Sequence, residues 1–98
     1  MDVKKFRYNG RVYPARITMG ALRDFKNETG YDFAKDASKL DTVGLAVMLY
    51  CALRSACRIE DKKFDVDLDD FLDNTTPEEI SAWYVTEDAE AQEISKKK

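Results

Sequence analysis

The acidic stretch DVDLDDFLDNTT contains the residue types best suited to bind a metal ion. Asp65, Asp67 and Asp69 occupy the first three ligand positions of an EF-hand calcium loop. The sixth position of such a loop needs glycine and is Asp70, and the twelfth needs a bidentate carboxylate and is Thr76. The sequence therefore predicts helix capping and a solvated acidic face here, with no metal and no cofactor.

Other patterns that could support catalysis are also incomplete. Histidine is absent, which removes the usual general base and the usual metal ligand. Cys51 and Cys57 fall in one predicted helix, about 9 Å apart along its axis, too far for a disulfide, and are expected to be buried thiols. The adjacent Glu78 and Glu79 are explained by helix capping, and none of the four glycines belongs to a phosphate loop. We expect no enzyme activity.

Length and composition predict one small folded domain. The chain has 98 residues, of which 44% are hydrophobic. We expect a single α+β domain over residues 1–85 and a charged C-terminal tail over residues 86–98, frayed or disordered.

The longest uncharged apolar run, Val43 to Leu53, is shorter than the roughly 20 residues that span a bilayer, so no membrane contact is expected. The first residues show no export signal, which indicates the cytoplasm.

Charge is unevenly distributed along the chain. Residues 1–26 contain seven basic and two acidic side chains, whereas residues 60–93 contain thirteen acidic and two basic ones. One interpretation is two solvated faces. The other is self-association of copies, basic end against acidic end.

The N-terminal residues predict a β-hairpin. Two strand-like runs flank the pair Asn9-Gly10, which favours a type I′ turn. The two-residue loop places Phe6, Tyr8 and Tyr13 on one face, which is expected to cover helices. As an alternative, these aromatic rings and the nearby arginines form a nucleic-acid-binding ribbon, although the acidic chain makes nucleic acid an unlikely partner.

A short helix is predicted after the hairpin. Thr18 is its expected N-cap and Gly30 its expected left-handed terminator. Met19, Leu22 and Phe25 follow at helical spacing and predict its buried stripe. Beyond the glycine, two further aromatic side chains are expected to pack into the core: Tyr31 and Phe33.

A long apolar helix follows, capped by Asp41 or Thr42 and running to about Arg58. It has almost no polar face before Arg54, so it is predicted to be the central helix, buried within one chain or partly between subunits. Asp67 then caps a short helix that ends at Asp73-Asn74.

The segment TPEEISAWY predicts a last helix. Thr76 is its N-cap, Pro77 its first residue and Glu79 the return partner of a capping box.

The predicted fold is an N-terminal β-hairpin packed on three to four α-helices around the central apolar helix. The candidate partner-binding side chains are on the central and last helices, although their alternative interpretation is plain core: Met48, Leu49, Leu53, Trp83 and Tyr84.

The order of these elements resembles the tail assembly chaperones of long-tailed, siphovirus-type bacteriophages and prophages. The resemblance covers nearly the whole chain, and its clearest motif is I-x-x-G-A-L-R-x-F-x-x-x-T-G. The chain matches this motif at Ile17, Gly20, Ala21, Leu22, Arg23, Phe25, Thr29 and Gly30.

The resemblance implies a non-enzymatic protein of the bacterial cytoplasm. Such a chaperone coats the tape measure protein, keeps its apolar surface from aggregating and helps to recruit tail tube subunits. Many copies along one extended partner would fit the uneven charge. The alternative is another kind of prophage or mobile-element adaptor with the same scaffold.

Overall fold

The computed structural model describes residues 4–84 and shows an α+β fold with an N-terminal hairpin packed on helices, as predicted. The predicted tail, residues 86–98, lies outside the described residues.

The hairpin consists of β1 (Lys5–Tyr8) and β2 (Arg11–Pro14), paired antiparallel. Phe6 lies opposite Tyr13 and Tyr8 opposite Arg11, which is the predicted register. The two turn residues, Asn9 and Gly10, have φ of 53° and 81°, the two positive values that a type I′ turn requires.

Helix α1 (Met19–Thr29) has the predicted ends but a different buried face. Thr18 Oγ1 accepts a hydrogen bond from the Ala21 amide, and Gly30 ends the helix with φ of 84°. Ala21 and Phe25 are buried, whereas Met19 is 79% exposed, so the prediction of Met19 in the buried stripe is wrong. Met19 is the first residue after the N-cap, and its position on the helix points away from the Ala21 and Phe25 side.

The segment after Gly30 holds more structure than predicted. A one-turn helix, α2 (Phe33–Asp36), is followed by a 3₁₀ turn (Ala37–Lys39). The Phe33 ring packs edge-on against Phe25, at 5.6 Å between centroids. Tyr31 is 47% exposed, which corrects the prediction that it packs into the core.

Helix α3 (Thr42–Ile59) is the predicted central helix. The Asp41 side chain caps it by accepting a hydrogen bond from the Gly44 amide at 2.9 Å. Nearly all of residues 46–57 are buried by the chain itself, Arg54 excepted. The central helix therefore needs no second subunit to cover its middle.

Two acidic helices follow, α4 (Leu68–Asp73) and α5, which is helical from residue 77 to residue 84, the last one described. Asp67 lies at the N-cap position of α4, but its side chain accepts no capping hydrogen bond. The predicted capping box of α5 is present. The Thr76 amide donates to Glu79 Oε1 at 2.9 Å, and the Glu79 amide donates to Thr76 Oγ1 at 3.2 Å.

The core has two parts, one on each side of α3. The hairpin side is built around Phe71 of α4, whose ring lies 5.9 Å from Phe6, 5.3 Å from Tyr8 and 5.5 Å from Tyr50. The other side joins α1 to α3 through Phe25 and Met48, both fully buried. The hairpin, α4 and α5 thus pack on one side of the central helix, and α1 packs on the other.

Candidate protein-binding surface

The sequence-predicted binding residues lie in the core. Met48, Leu49 and Leu53 are 0% exposed and Trp83 is 6% exposed. Tyr84 is half-buried, and its hydroxyl donates to the Leu45 carbonyl at 2.8 Å. Leu49, Leu53, Trp83 and Tyr84 belong to the hairpin side of the core, and Met48 to the α1 side. Contact of these side chains with a partner stays a prediction, and it would require them to leave the core.

Of the six exposed large apolar side chains in residues 4–84, two lie where the hairpin leads into α1 and a third lies at the nearby end of α3. Ile17 is 38% exposed and Met19 79%, on either side of the N-cap Thr18. Ile59, the last residue of α3, is 58% exposed. It lies one helical turn beyond Ser55, which Thr18 contacts through its side chain. We name these three residues the junction surface: Ile17, Met19 and Ile59.

Hydrogen bonds hold the junction surface on α3. The Thr18 hydroxyl bonds to Ser55 Oγ, and Ser55 is 2% exposed. One residue before Ile17, the Arg16 amide donates to the Ala52 carbonyl at 3.3 Å. The apolar side chains of this surface therefore project from a firmly attached segment, which lowers the entropy cost of binding.

The first glycine of the motif, Gly20, lies where α1 contacts α3. A Cβ atom on Gly20 would lie 3.3 Å from Arg58 Nη2 and 3.5 Å from Ser55 Oγ. Arg58 in turn pairs with Asp24 at 3.5 Å between Nη2 and Oδ2. A Cβ at position 20 would require the half-exposed Arg58 side chain to move by a few tenths of an ångström.

Basic side chains lie close along the chain to each residue of the junction surface. Arg16 directly precedes Ile17, Arg58 directly precedes Ile59, and Arg23 lies one turn after Met19; all three are exposed. Asp24 pairs with both Arg23 and Arg58. An apolar centre with a basic rim suits a partner helix that presents apolar side chains flanked by carboxylates.

Sequence reasoning missed this surface because Met19, Leu22 and Phe25 follow a helical period. A better signal was the pair Gly20-Ala21, since small residues mark the face on which another helix approaches closely. With Ala21 facing the neighbouring helix, Met19 falls on the outer side of α1.

Two of the acidic side chains and both cysteine side chains that sequence analysis considered for chemistry lie at the start of α4 and on α3. Asp67 and Asp69 begin α4, and among residues 4–84 no three His, Cys, Asp or Glu side chains converge to hold a metal ion. Cys51 and Cys57 are free and buried, as predicted. Burial raises the pKa of the Cys51 thiol to about 12, which makes it a poor nucleophile at neutral pH.

Helix α3 is long and apolar enough to cross a membrane by length and composition alone, with mean hydropathy of 1.4 over 18 residues. The chain itself buries 61% of that window. The core helix of a globular protein has the same properties, so the helix is weak evidence for a membrane span.

No protein-family model, curated protein or solved structure matches the chain.

Proposed function

We propose that this chain is a non-enzymatic tail assembly chaperone of a siphovirus-type phage or prophage, acting in the cytoplasm of the bacterial host. It binds the tape measure protein and assists assembly of the tail tube. The observation that carries the proposal is that the motif from Ile17 to Gly30 contributes Ile17 and Met19 to the junction surface, so the segment with the clearest resemblance also presents exposed apolar side chains.

The junction surface supports binding to an amphipathic helix. Met19 and Ile59 lose most of their remaining exposure when an apolar stripe of a partner lies across them, which is favourable by about 25 cal/mol per Å² of buried apolar area. Carboxylates beside that stripe meet the arginine rim. A long helical protein that aggregates through its apolar face is a partner of this kind.

Self-association extends the proposal to many copies on one tape measure. The exposed basic side chains of the hairpin, Lys5, Arg7 and Arg11, have the opposite charge to the exposed acidic side chains of α4, Asp69, Asp70 and Asp73. Contacts between these surfaces of neighbouring copies would weaken with added salt. Sedimentation velocity at low and high salt checks this part, and salt-independent association would contradict it.

The second candidate function is another prophage or mobile-element adaptor, which would use the same surface for a different structural protein. The nucleic-acid alternative has less support, because Phe6 and Tyr8 are buried and the Tyr13 ring packs against Phe64 at 4.9 Å. Rings in these positions are not available for stacking on bases.

Co-expression separates the chaperone from other adaptors. A helical fragment of the tape measure protein from the same genome is produced alone, with this chain, or with the variant Met19→Gln/Ile59→Gln. We expect the wild-type chain to raise the soluble yield of the fragment and the variant to raise it much less. The matched control is Val43→Gln, since Val43 is 59% exposed and lies at the other end of α3, about 24 Å from Ile59 along the helix. An unchanged yield with the wild-type chain would contradict the proposed function.

A further inference from the structure

A pocket of about 280 Å³ lies between β1 and α5. Lys4, Lys5 and Arg7 lie along its hairpin side, and Glu79 and Trp83 lie along its helix side. Lys5 and Arg7 are exposed, so they give the rim of the pocket a positive potential. None of the described lining residues belongs to the junction surface, so the pocket is a second and separate candidate site.

Two hydrogen-bond donors in this pocket have no acceptor among residues 4–84. They are Lys4 Nζ and Trp83 Nε1, and both atoms are enclosed. Trp83 as a whole is 6% exposed, so its indole N–H has little access to bulk solvent. A buried donor without an acceptor is costly, and a buried ammonium without an anion is more costly still. The two donors therefore favour an acceptor that enters the pocket.

The Lys4 ammonium is positioned by the Trp83 ring. Its Nζ lies 5.0 Å from the ring centroid, a cation-π contact that uses none of the three N–H groups. Nε1 belongs to the same ring and is a donor only, so the two free donors are near neighbours. One negatively charged group beside the ring can accept hydrogen bonds from both.

The acidic residue of the described lining, Glu79, does not fill this role. Its Oε1 accepts from the Thr76 amide at 2.9 Å and from the Thr76 hydroxyl at 3.3 Å, within the capping box. It accepts no hydrogen bond from Lys4 or from Trp83. The positive charge of Lys4 is thus left for a ligand.

Apolar side chains form the rest of the lining. Phe6, Ala82 and the Trp83 ring lie beside the two donors. A ligand that matches the whole pocket combines a carboxylate, which accepts from an ammonium and an indole N–H, with a short apolar body that lies against this wall.

We propose that this pocket binds a carboxylate on a short aliphatic stem, which is either a free small acid or a glutamate side chain of a bound polypeptide. The carboxylate accepts hydrogen bonds from Lys4 Nζ and Trp83 Nε1, and the stem packs against Phe6 and Ala82. This binding site does not depend on the chaperone function, because it shares no residue with the junction surface.

The indole N–H of Trp83 reports on the ligand directly. Trp83 is the single tryptophan of the chain, so its indole resonance in a ¹⁵N spectrum is unambiguous. The full chain is titrated with butyrate and, separately, with butyramide at the same ionic strength. The two probes have the same aliphatic stem, and butyrate alone carries a negative charge.

We expect the indole proton to move downfield and to saturate at millimolar butyrate, because its N–H gains a charged acceptor. Butyramide at the same concentrations should leave the resonance near its starting position. The same response to both probes, or no response to either, would overturn the proposal.

Lys4→Met tests the ammonium, since it keeps a long side chain and removes the charge. Lys26→Met is the matched control, because Lys26 is an exposed lysine of α1, which packs on the other side of α3. The Kd for butyrate should rise about 10-fold or more in Lys4→Met and keep its wild-type value in Lys26→Met. Amide dispersion in the same spectra shows that each variant is folded. An equal Kd in all three proteins would overturn the assignment of Lys4 as a ligand.

Two capped tripeptides, alanine-glutamate-alanine and alanine-glutamine-alanine, distinguish the sources of the carboxylate. A glutamate peptide that moves the indole resonance at lower concentration than butyrate assigns the site to a polypeptide side chain. Binding of butyrate with no response to this peptide assigns the site to a free acid. The glutamine peptide should give no shift, and a shift equal to that of the glutamate peptide would overturn the need for a negative charge.

Discussion

At the residue scale, four of the described residues hold positive φ, a backbone conformation that most side chains avoid, and all but Asp61 lie at predicted turn or cap positions. Asn9 and Gly10 form the hairpin turn, and Gly30 ends α1 with φ of 84°. Nothing lies within 4 Å of where a Cβ on Gly30 would be, so conformation rather than space requires glycine there. These positions could be predicted from the sequence, because turn and cap chemistry depends on neighbouring residues alone.

Gly30→Ala should lower the free energy of unfolding by about 1 kcal/mol, since an L-residue at this φ is strained. Gly30→Asn should cost less, because asparagine adopts the left-handed conformation more readily. Urea unfolding of the three proteins checks the order. Equal stability of the alanine variant and the wild type would contradict a left-handed cap.

The Cys51 thiol predicts how stability depends on alkaline pH. Burial raises its pKa in the folded chain from the usual 9.0 to about 12. Between these values the unfolded chain loses a proton that the folded chain keeps, so stability is full below pH 9 and is lost as pH rises towards 12. The slope from this group is up to about 1.4 kcal/mol per pH unit.

Cys51→Ala provides the test of this slope. Burial also raises the pKa of Cys57 and of Tyr50. The variant should therefore still lose part of its folding stability as pH rises. Unfolding titrations between pH 8 and pH 10.5 should give a slope that is smaller by the contribution of one proton. The same slope in both proteins would mean that the Cys51 thiol is not protected in the folded chain.

At the element scale, local signals predicted where most elements begin and end, and long-range packing decided which faces are buried. The caps of α1, α3 and α5 were predicted from short motifs. The exposure of Met19 and Tyr31 was not predicted, because it depends on how α1 and the segment after it lie against α3. Helix α2 was missed because four residues between polar neighbours show no clear period.

Thr18 contacts both α1 and α3, so substitutions at this position test the contact between the two helices. Its hydroxyl caps α1 and also bonds to the buried Ser55 of α3. Thr18→Ala removes the cap and leaves the Ser55 hydroxyl without this partner, so it should lower the free energy of unfolding by about 1–2 kcal/mol. Thr18→Ser keeps the hydroxyl and should recover most of the loss in thermal or urea unfolding. An alanine variant as stable as the serine variant would contradict the role of this contact.

At the scale of the whole molecule, the fold class was predictable and the proposed binding surface was not. Met48, Leu49 and Leu53 are apolar in a helix with little polar face, and the sequence cannot tell a core helix from one that also binds a partner. The closing of the hairpin and α1 over opposite sides of α3 buries these residues. That arrangement leaves apolar side chains exposed where α1 begins and at both ends of α3.

The most direct test of the proposed function is the affinity of the purified chain for a purified helical fragment of the tape measure protein, measured by titration calorimetry. We predict binding by the wild type and by Val43→Gln, and affinity lower by about 10-fold or more for Met19→Gln/Ile59→Gln, because two exposed apolar contacts are lost. No binding by the wild type would contradict the chaperone proposal itself. Equal affinity of all three proteins would contradict the junction surface as the place where the tape measure binds.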